Sequence, residues 1–147
     1  MQGYVYGARI DEAQIFPDVI AVMQRIRDAG HTLAIISHKT QYPYRGPQYD
    51  LHAAARTWIE TKLCEKGHSL IPIDHVFFEL TKEDKLTRIA NLRCDVFIDD
   101  LPEILLAANF PLATRRFLFD PENHYHKASL PHVQVVSSWT VLENYLL

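Results

Sequence analysis

Apolar residues recur along this chain in two alternating rhythms. Between Pro17 and Gly30 they return every three or four positions, at Val19, Ile20, Met23 and Ile26, the spacing of one helix face. Pro17 suits the first helical turn and Gly30 a C-terminal cap. The rhythm then changes to an unbroken apolar run, Leu33 to Ile36 within "HTLAIISHKT", which predicts a short strand buried on both faces. A polar and aromatic loop leads to a second helix from about Asp50 to Cys64, and Gly67 breaks the pattern after it. "HVFFE", from His75 to Glu79, is a second strand. Thr81 reads as an N-cap with Asp84 three residues on, and Leu86, Ile89, Ala90 and Leu92 give the next helix its apolar face. "DVFID" predicts strand three, Pro102 to about Ala108 a short helix, "RRFLFD" strand four and "VQVVSS" a weaker strand five. "SWTVLENYLL" is a final amphipathic helix with a serine cap. Strands alternating with helices predict an α/β sandwich with a largely parallel sheet.

Composition narrows the picture. At 147 residues and 48% hydrophobic content the chain suffices for one domain with a full core. A formal net charge of −3 gives no reason to expect nucleic acid or a membrane surface as partner. No apolar run reaches the roughly 18 residues of a membrane span, and "MQGYVYGARIDEAQ" lacks the regions of a signal peptide. Cys64 and Cys94 are too few for a disulfide framework or a zinc knuckle, and read as buried thiols in a reducing cytoplasm.

Chemistry gathers at the predicted strand ends, where α/β sheets place their active sites. Strand one delivers Ser37, then His38, Lys39 and Thr40. Strand three delivers the adjacent carboxylates Asp99 and Asp100, and the helix before it opens with Lys82 and Lys85. Two like charges side by side at the end of a core strand are costly unless something offsets them. A Mg²⁺ ion held by its hard-oxygen preference would do so, while the hydroxyl and an ammonium bind phosphoryl oxygens.

These motifs, in this order, resemble the haloacid dehalogenase-like (HAD) superfamily of hydrolases. Its second motif, an apolar strand ending in Ser or Thr, matches "LAIISHKT" at Ser37. Its third, a Lys at the head of a helix, matches Lys82 or Lys85 in "ELTKEDKLTRI". Its fourth, an apolar strand ending in acidic residues, matches "DVFIDDLPE". The resemblance covers roughly Ile15 to Asp120 and implies a three-layer sandwich with a mostly parallel, Rossmann-like sheet. It also implies Mg²⁺-dependent hydrolysis of a small phosphorylated metabolite. Asp99 and Asp100 would serve the metal, Ser37 would hold the phosphoryl group, and Lys82 or Lys85 would neutralise its charge. His38, Lys39 and Arg45 are the further substrate-binding candidates.

The superfamily's first motif, Asp-x-Asp on the central strand, supplies a nucleophile and an acid/base. No Asp-x-Asp occurs in these 147 residues. Asp11 follows an interrupted run and has Ala13 where the second Asp belongs, and Asp74 after "LIPI" fails the same test. The expectation is a single HAD-like core without its first-motif strand, inactive by itself, with residues 1–14 the remnant of a preceding cap or linker. Met1 would then be an internal start or the mark of a shortened gene. The missing strand would lie between those of Ser37 and Asp99. Those two strands are therefore expected to pair directly, or to admit Gly3–Ile10 or a second copy of the chain in a homodimer.

Plainer readings stand beside these. Asp100 alone would cap the helix at Pro102. Ser37 is an ordinary strand-end serine without its companions. Lys82 and Lys85 would be solvated charges, although a helix N-terminus disfavours them. "YPYRGPQY" serves either as an aromatic clamp with Arg45 as anion partner or as a Pro-braced loop with packed tyrosines. His124, His126 and His132 lack spaced metal partners and read as surface residues, and Trp58 and Trp139 as packing. Two further classes therefore remain: a non-catalytic binding or assembly protein on the same scaffold, and an unrelated α/β domain.

Overall fold

Gly30 ends the first helix as the periodicity requires. In the computed structural model, which describes residues 15–42, 44, 50–125 and 129–147, helix α1 spans Val19–Asp28 and buries Val19, Val22, Met23 and Ile26. Gly30, at φ 92°, donates its N–H to Arg27 O, and His31 donates to Ile26 O. This paired closure needs a residue in the left-handed region, which glycine adopts without a Cβ penalty. Pro17 lies just outside the helix, and Asp18 takes the N-cap position at φ 66°. Ile20 is only half-buried and Val22 takes its place in the core.

The chain divides into two compact units, Met1–Thr81 and Lys82–Leu147. In the first, strand β1 (Ile35–His38) pairs in parallel with a later strand, β4 (Val76–Glu79). Ser37 stands opposite Phe78 and His38 opposite Glu79, and the Lys39 N–H extends the ladder to Glu79 O at 2.9 Å. Helix α2 (Leu51–Lys62) runs between them in sequence. Asp50 caps it by accepting the Ala53 N–H at 2.9 Å, and Leu51, Ala55 and Ile59 form its buried face. Strands β2 (Cys64–Glu65) and β3 (His68–Ser69) then form a small antiparallel hairpin. Its two-residue turn, Lys66-Gly67, has φ 50° and 79°, the positive-φ pair that matches a right-handed strand twist. In the sequence this hairpin shows only as the break at Gly67. A short 3₁₀ turn, Ile73–His75, leads into β4.

In the second unit, helix α3 (Lys82–Asn91) precedes β5 (Val96–Asp99), short helix α4 (Pro102–Leu105), β6 (Arg115–Phe119), β7 (Val133–Val136) and helix α5 (Trp139–Leu146). The three strands form a parallel sheet in the order β5-β6-β7. Phe117, Val136 and Leu142 are its buried centre, with Val96, Ile98, Phe119, Trp139 and Leu146 packed around them. Ser138 caps α5 by accepting the Val141 N–H at 3.1 Å.

The observed architecture is mixed α/β with short parallel sheets, as expected in outline. Among the described residues β1 pairs with β4, and β5 with β6. The direct pairing of Leu33–Ser37 with Val96–Asp99 is not among the ladders, and Gly3–Ile10 lies outside the described residues. Ile36 is buried and Ile35 half-buried, so β1 is less enclosed than its unbroken apolar run suggested. Cys64 and Cys94 are unpaired and half-buried, and burial pushes the Cys94 thiol above its ordinary range.

Candidate functional site

The carboxyl edge of the second unit's sheet collects the acidic residues. Val96, Phe97 and Ile98 form β5 because one face must cover the core and the strand has β6 beside it. The strand stops at Asp99, and the Asp99 carboxylate then does two things. Its Oδ1 accepts the Leu101 N–H at 3.0 Å, turning the chain toward α4. Its Oδ2 meets Lys85 Nζ at 2.6 Å, with both side chains almost fully enclosed at 7% and 6% exposure. Lys85 sits one turn into α3, on the face that also buries Leu86 and Ile89, and its ammonium lies 5.6 Å from the Phe97 ring centroid. An enclosed ammonium needs such a counter-charge, because losing water costs more than packing its methylenes returns.

Position 85 is therefore the lysine that reaches the acidic strand end. Lys82, half-buried at the first position of α3, makes no ion pair among the described residues. Asp100 is exposed as a residue, yet its carboxyl is held above the usual range, first by partial desolvation and next by the Asp99 charge, with Lys85 working in the opposite direction. The capping role considered for Asp100 falls to its neighbour: Leu101 occupies the α4 N-cap without a side-chain bond, and Asp99 takes the Leu101 amide.

The sign of the Asp100 perturbation can be tested. A carboxyl raised in the folded state costs stability as pH rises from its ordinary value, about 3.9, through the folded one. Asp100→Asn removes that cost. The variant should match the parent at low pH and melt higher by a margin that grows with pH and then levels. Screening at this exposed position keeps the gain to about 1 kcal/mol or less. Thermal melts of both proteins from about pH 3 to pH 8 check it, and a margin that shrinks with pH contradicts it.

Two adjacent carboxylates suit Mg²⁺, which is commonly held by one or two carboxylates with water and phosphate completing its shell. Asp99 enters with one lone pair on each oxygen already committed, to Lys85 and to Leu101, leaving the others available. Among the described residues no three His, Cys, Asp or Glu side chains gather as a metal cluster. The donor set fits a largely hydrated ion on Asp100 and the remaining Asp99 lone pairs. Once bound, such an ion would supply positive charge against the carboxylates and an attached phosphate.

One acidic residue at this edge went unrecognised as a candidate. Asp120, just past β6, is buried at 3% exposure. Its two carboxylate oxygens accept the His124 and Tyr125 amides at 2.9 and 2.8 Å, so it shapes the loop after β6. Its signal in the sequence was weak, a single Asp before "PENHY".

In the first unit, Ser37 and His38 close β1, with Lys39 and Thr40 just beyond. All four are half-buried. Burial lowers the Lys39 ammonium from its ordinary value. Arg45 lies outside the described residues, as does His126. Tyr42 and Tyr44 are exposed, at 47% and 86%, so these two are not packed on the body. His124 and His132 are exposed, and His124 Nε2 lies 2.9 Å from Glu122, in keeping with surface histidines. Trp139 packs on Phe119, with ring centroids 6.1 Å apart.

No protein-family model matches the chain, and neither the curated proteins nor the solved structures yield a match. The class defined by the fold is thus a mixed α/β protein. Among the described residues no helix is long and apolar enough to cross a membrane.

Proposed function

We propose that this chain is a HAD-like, Mg²⁺- and phosphate-handling domain that supplies the metal-binding and charge-neutralising residues of a phosphohydrolase without the covalent nucleophile. Lys85, Asp99 and Asp100, gathered at the carboxyl end of β5, are the observation that carries this reading. An enclosed ammonium bound to one of two adjacent carboxylates supports it, because the second carboxylate keeps a charge that a divalent cation would balance. In this reading Lys85 neutralises phosphoryl charge, and Asp99 and Asp100 hold the ion. The three-layer sandwich belongs to the same proposal. Without Asp-x-Asp in the sequence, no aspartyl-phosphate forms on this chain through that motif.

The test separates metal binding from turnover. Mg²⁺ should raise the melting temperature above a sodium chloride control of equal ionic strength. At tenfold excess over its Kd an ion stabilises by about 1.4 kcal/mol, which corresponds to a few degrees. The increment should vanish in Asp100→Asn. p-Nitrophenyl phosphate should not be hydrolysed. An identical Mg²⁺ response in Asp100→Asn, or none in the parent, removes the metal site. Robust Mg²⁺-dependent hydrolysis lost in Asp99→Asn would show that the chain carries a complete active centre.

A further inference from the structure

The first unit holds a second charged cluster, around the ring of Phe78. We propose that Lys39 and Arg56, gathered on that ring at the carboxyl end of β1, bind a phosphate-type anion. Ser37 stands opposite Phe78 in the parallel register, so the two share a sheet face, and alternation returns Lys39 to that face two residues on. Helix α2 supplies the other side. His52 and Arg56 are four residues apart and so share a helix face. The His52 ring stacks on Phe78 with centroids 5.3 Å apart and planes at 25°. Arg56 Cζ lies 4.9 Å from the Phe78 centroid, and Lys39 Nζ 5.6 Å from it.

Two cations sharing one ring gain from its negative face but repel each other. The nearby acidic residues do not relieve Arg56. Glu79 follows Phe78 in β4 and so projects to the opposite face. The Asp50 carboxylate accepts from the Ala53 N–H and from Gln41. Glu60, one turn along α2, is exposed, and among the described residues no carboxylate pairs with Arg56. The geometry is also fixed in advance. His52 Nε2 lies 2.8 Å from the Lys39 carbonyl, an acceptor only, so Nε2 carries the proton and ties α2 to the strand end. His38 and Thr40 alternate to the other face of the strand end, where His38 Nδ1 and Thr40 Oγ1 are covered and lack hydrogen-bond partners among the described residues. A guanidinium fork, an ammonium and the Ser37 hydroxyl together suit a tetrahedral oxyanion.

The ligand class rests on the phosphate reading above, and the experiment keeps the two apart by excluding metal. Inorganic phosphate is titrated calorimetrically into the full chain in EDTA, against sodium chloride at equal ionic strength. Saturable binding is expected in the parent and in Asp100→Asn. Arg56→Ala should bind about tenfold more weakly or worse, Lys39→Met should also weaken binding, and Arg56→Lys should recover part of it. Circular dichroism identifies which variants are folded, and Arg56→Lys keeps the charge if Arg56→Ala misfolds. No saturable heat in the parent overturns the proposal. So does a folded Arg56→Ala that binds like the parent, or binding lost in Asp100→Asn and kept in Arg56→Ala. A silent phosphate titration beside an intact Mg²⁺ response would dismiss this site and leave the metal reading standing.

Discussion

Lys85→Met should destabilise the second unit by about 3–5 kcal/mol, the usual cost of removing one partner from an enclosed ion pair. Methionine keeps a side chain of similar length at a position that α3 buries together with Leu86 and Ile89, so lost volume is not the cause. The cost arises because Asp99 Oδ2 loses an ammonium at 2.6 Å while remaining enclosed. The Leu101 amide still serves Oδ1, but one neutral donor does not replace a full charge. The double variant Lys85→Met/Asp99→Leu should recover much of the loss, since apolar pairs of similar volume often equal or exceed buried ion pairs. Denaturant unfolding of the two single variants and the double variant forms a cycle. A loss under about 1 kcal/mol in Lys85→Met, the range of exposed pairs, would mean that the pair opens to solvent.

The second large effect lies in the apolar centre of the same unit. Phe117 is 2% exposed between Val136 and Leu142, with the Tyr145 ring at 5.5 Å and the Arg115 guanidinium at 5.2 Å from its own. Phe117→Ala removes most of a side chain that nothing nearby can replace, and should cost about 3–5 kcal/mol. Leu112→Ala is the matched control: at 93% exposure it should stay within about 0.5 kcal/mol. The chain has two tryptophans, Trp58 in the first unit and Trp139 packed on Phe119 in the second. In a Trp58→Phe background, fluorescence follows the second unit alone. Equal losses in Phe117→Ala and Leu112→Ala would contradict the packing described.

What could be read from the sequence is what depends on neighbours along the chain. Gly30, Asp50 and Ser138 mark helix ends through bonds spanning three to five residues, and "HVFFE" and "DVFID" lie within one residue of the observed strands. The errors have local causes too. Leu92 was placed on the α3 face, but the helix ends at Asn91 and Leu92 is 40% exposed. The Lys66-Gly67 hairpin escaped because strands of two residues have no period to detect. In the site, the sequence presented Asp99 and Asp100 as a pair and left Lys82 and Lys85 undecided. The choice rests on a contact across 14 residues, which no local pattern encodes. Arg56 was overlooked for the same reason. Its importance depends on α2 meeting a ring in β4, whereas Arg45 stood out only by its place in an aromatic loop.

The strand order of the second unit also bears on how quickly each part assembles. Val96 pairs with Arg115 and Arg116 with Val133, so each ladder closes a short stretch of chain. Ile35 must wait for Val76, across all of α2 and the hairpin. Closure entropy grows with the length to be closed, and local topologies fold faster. During refolding the Trp139 environment should therefore mature before the Trp58 environment. The late strand end is the one that carries Ser37 and Lys39, so anion binding should be among the last properties the chain regains.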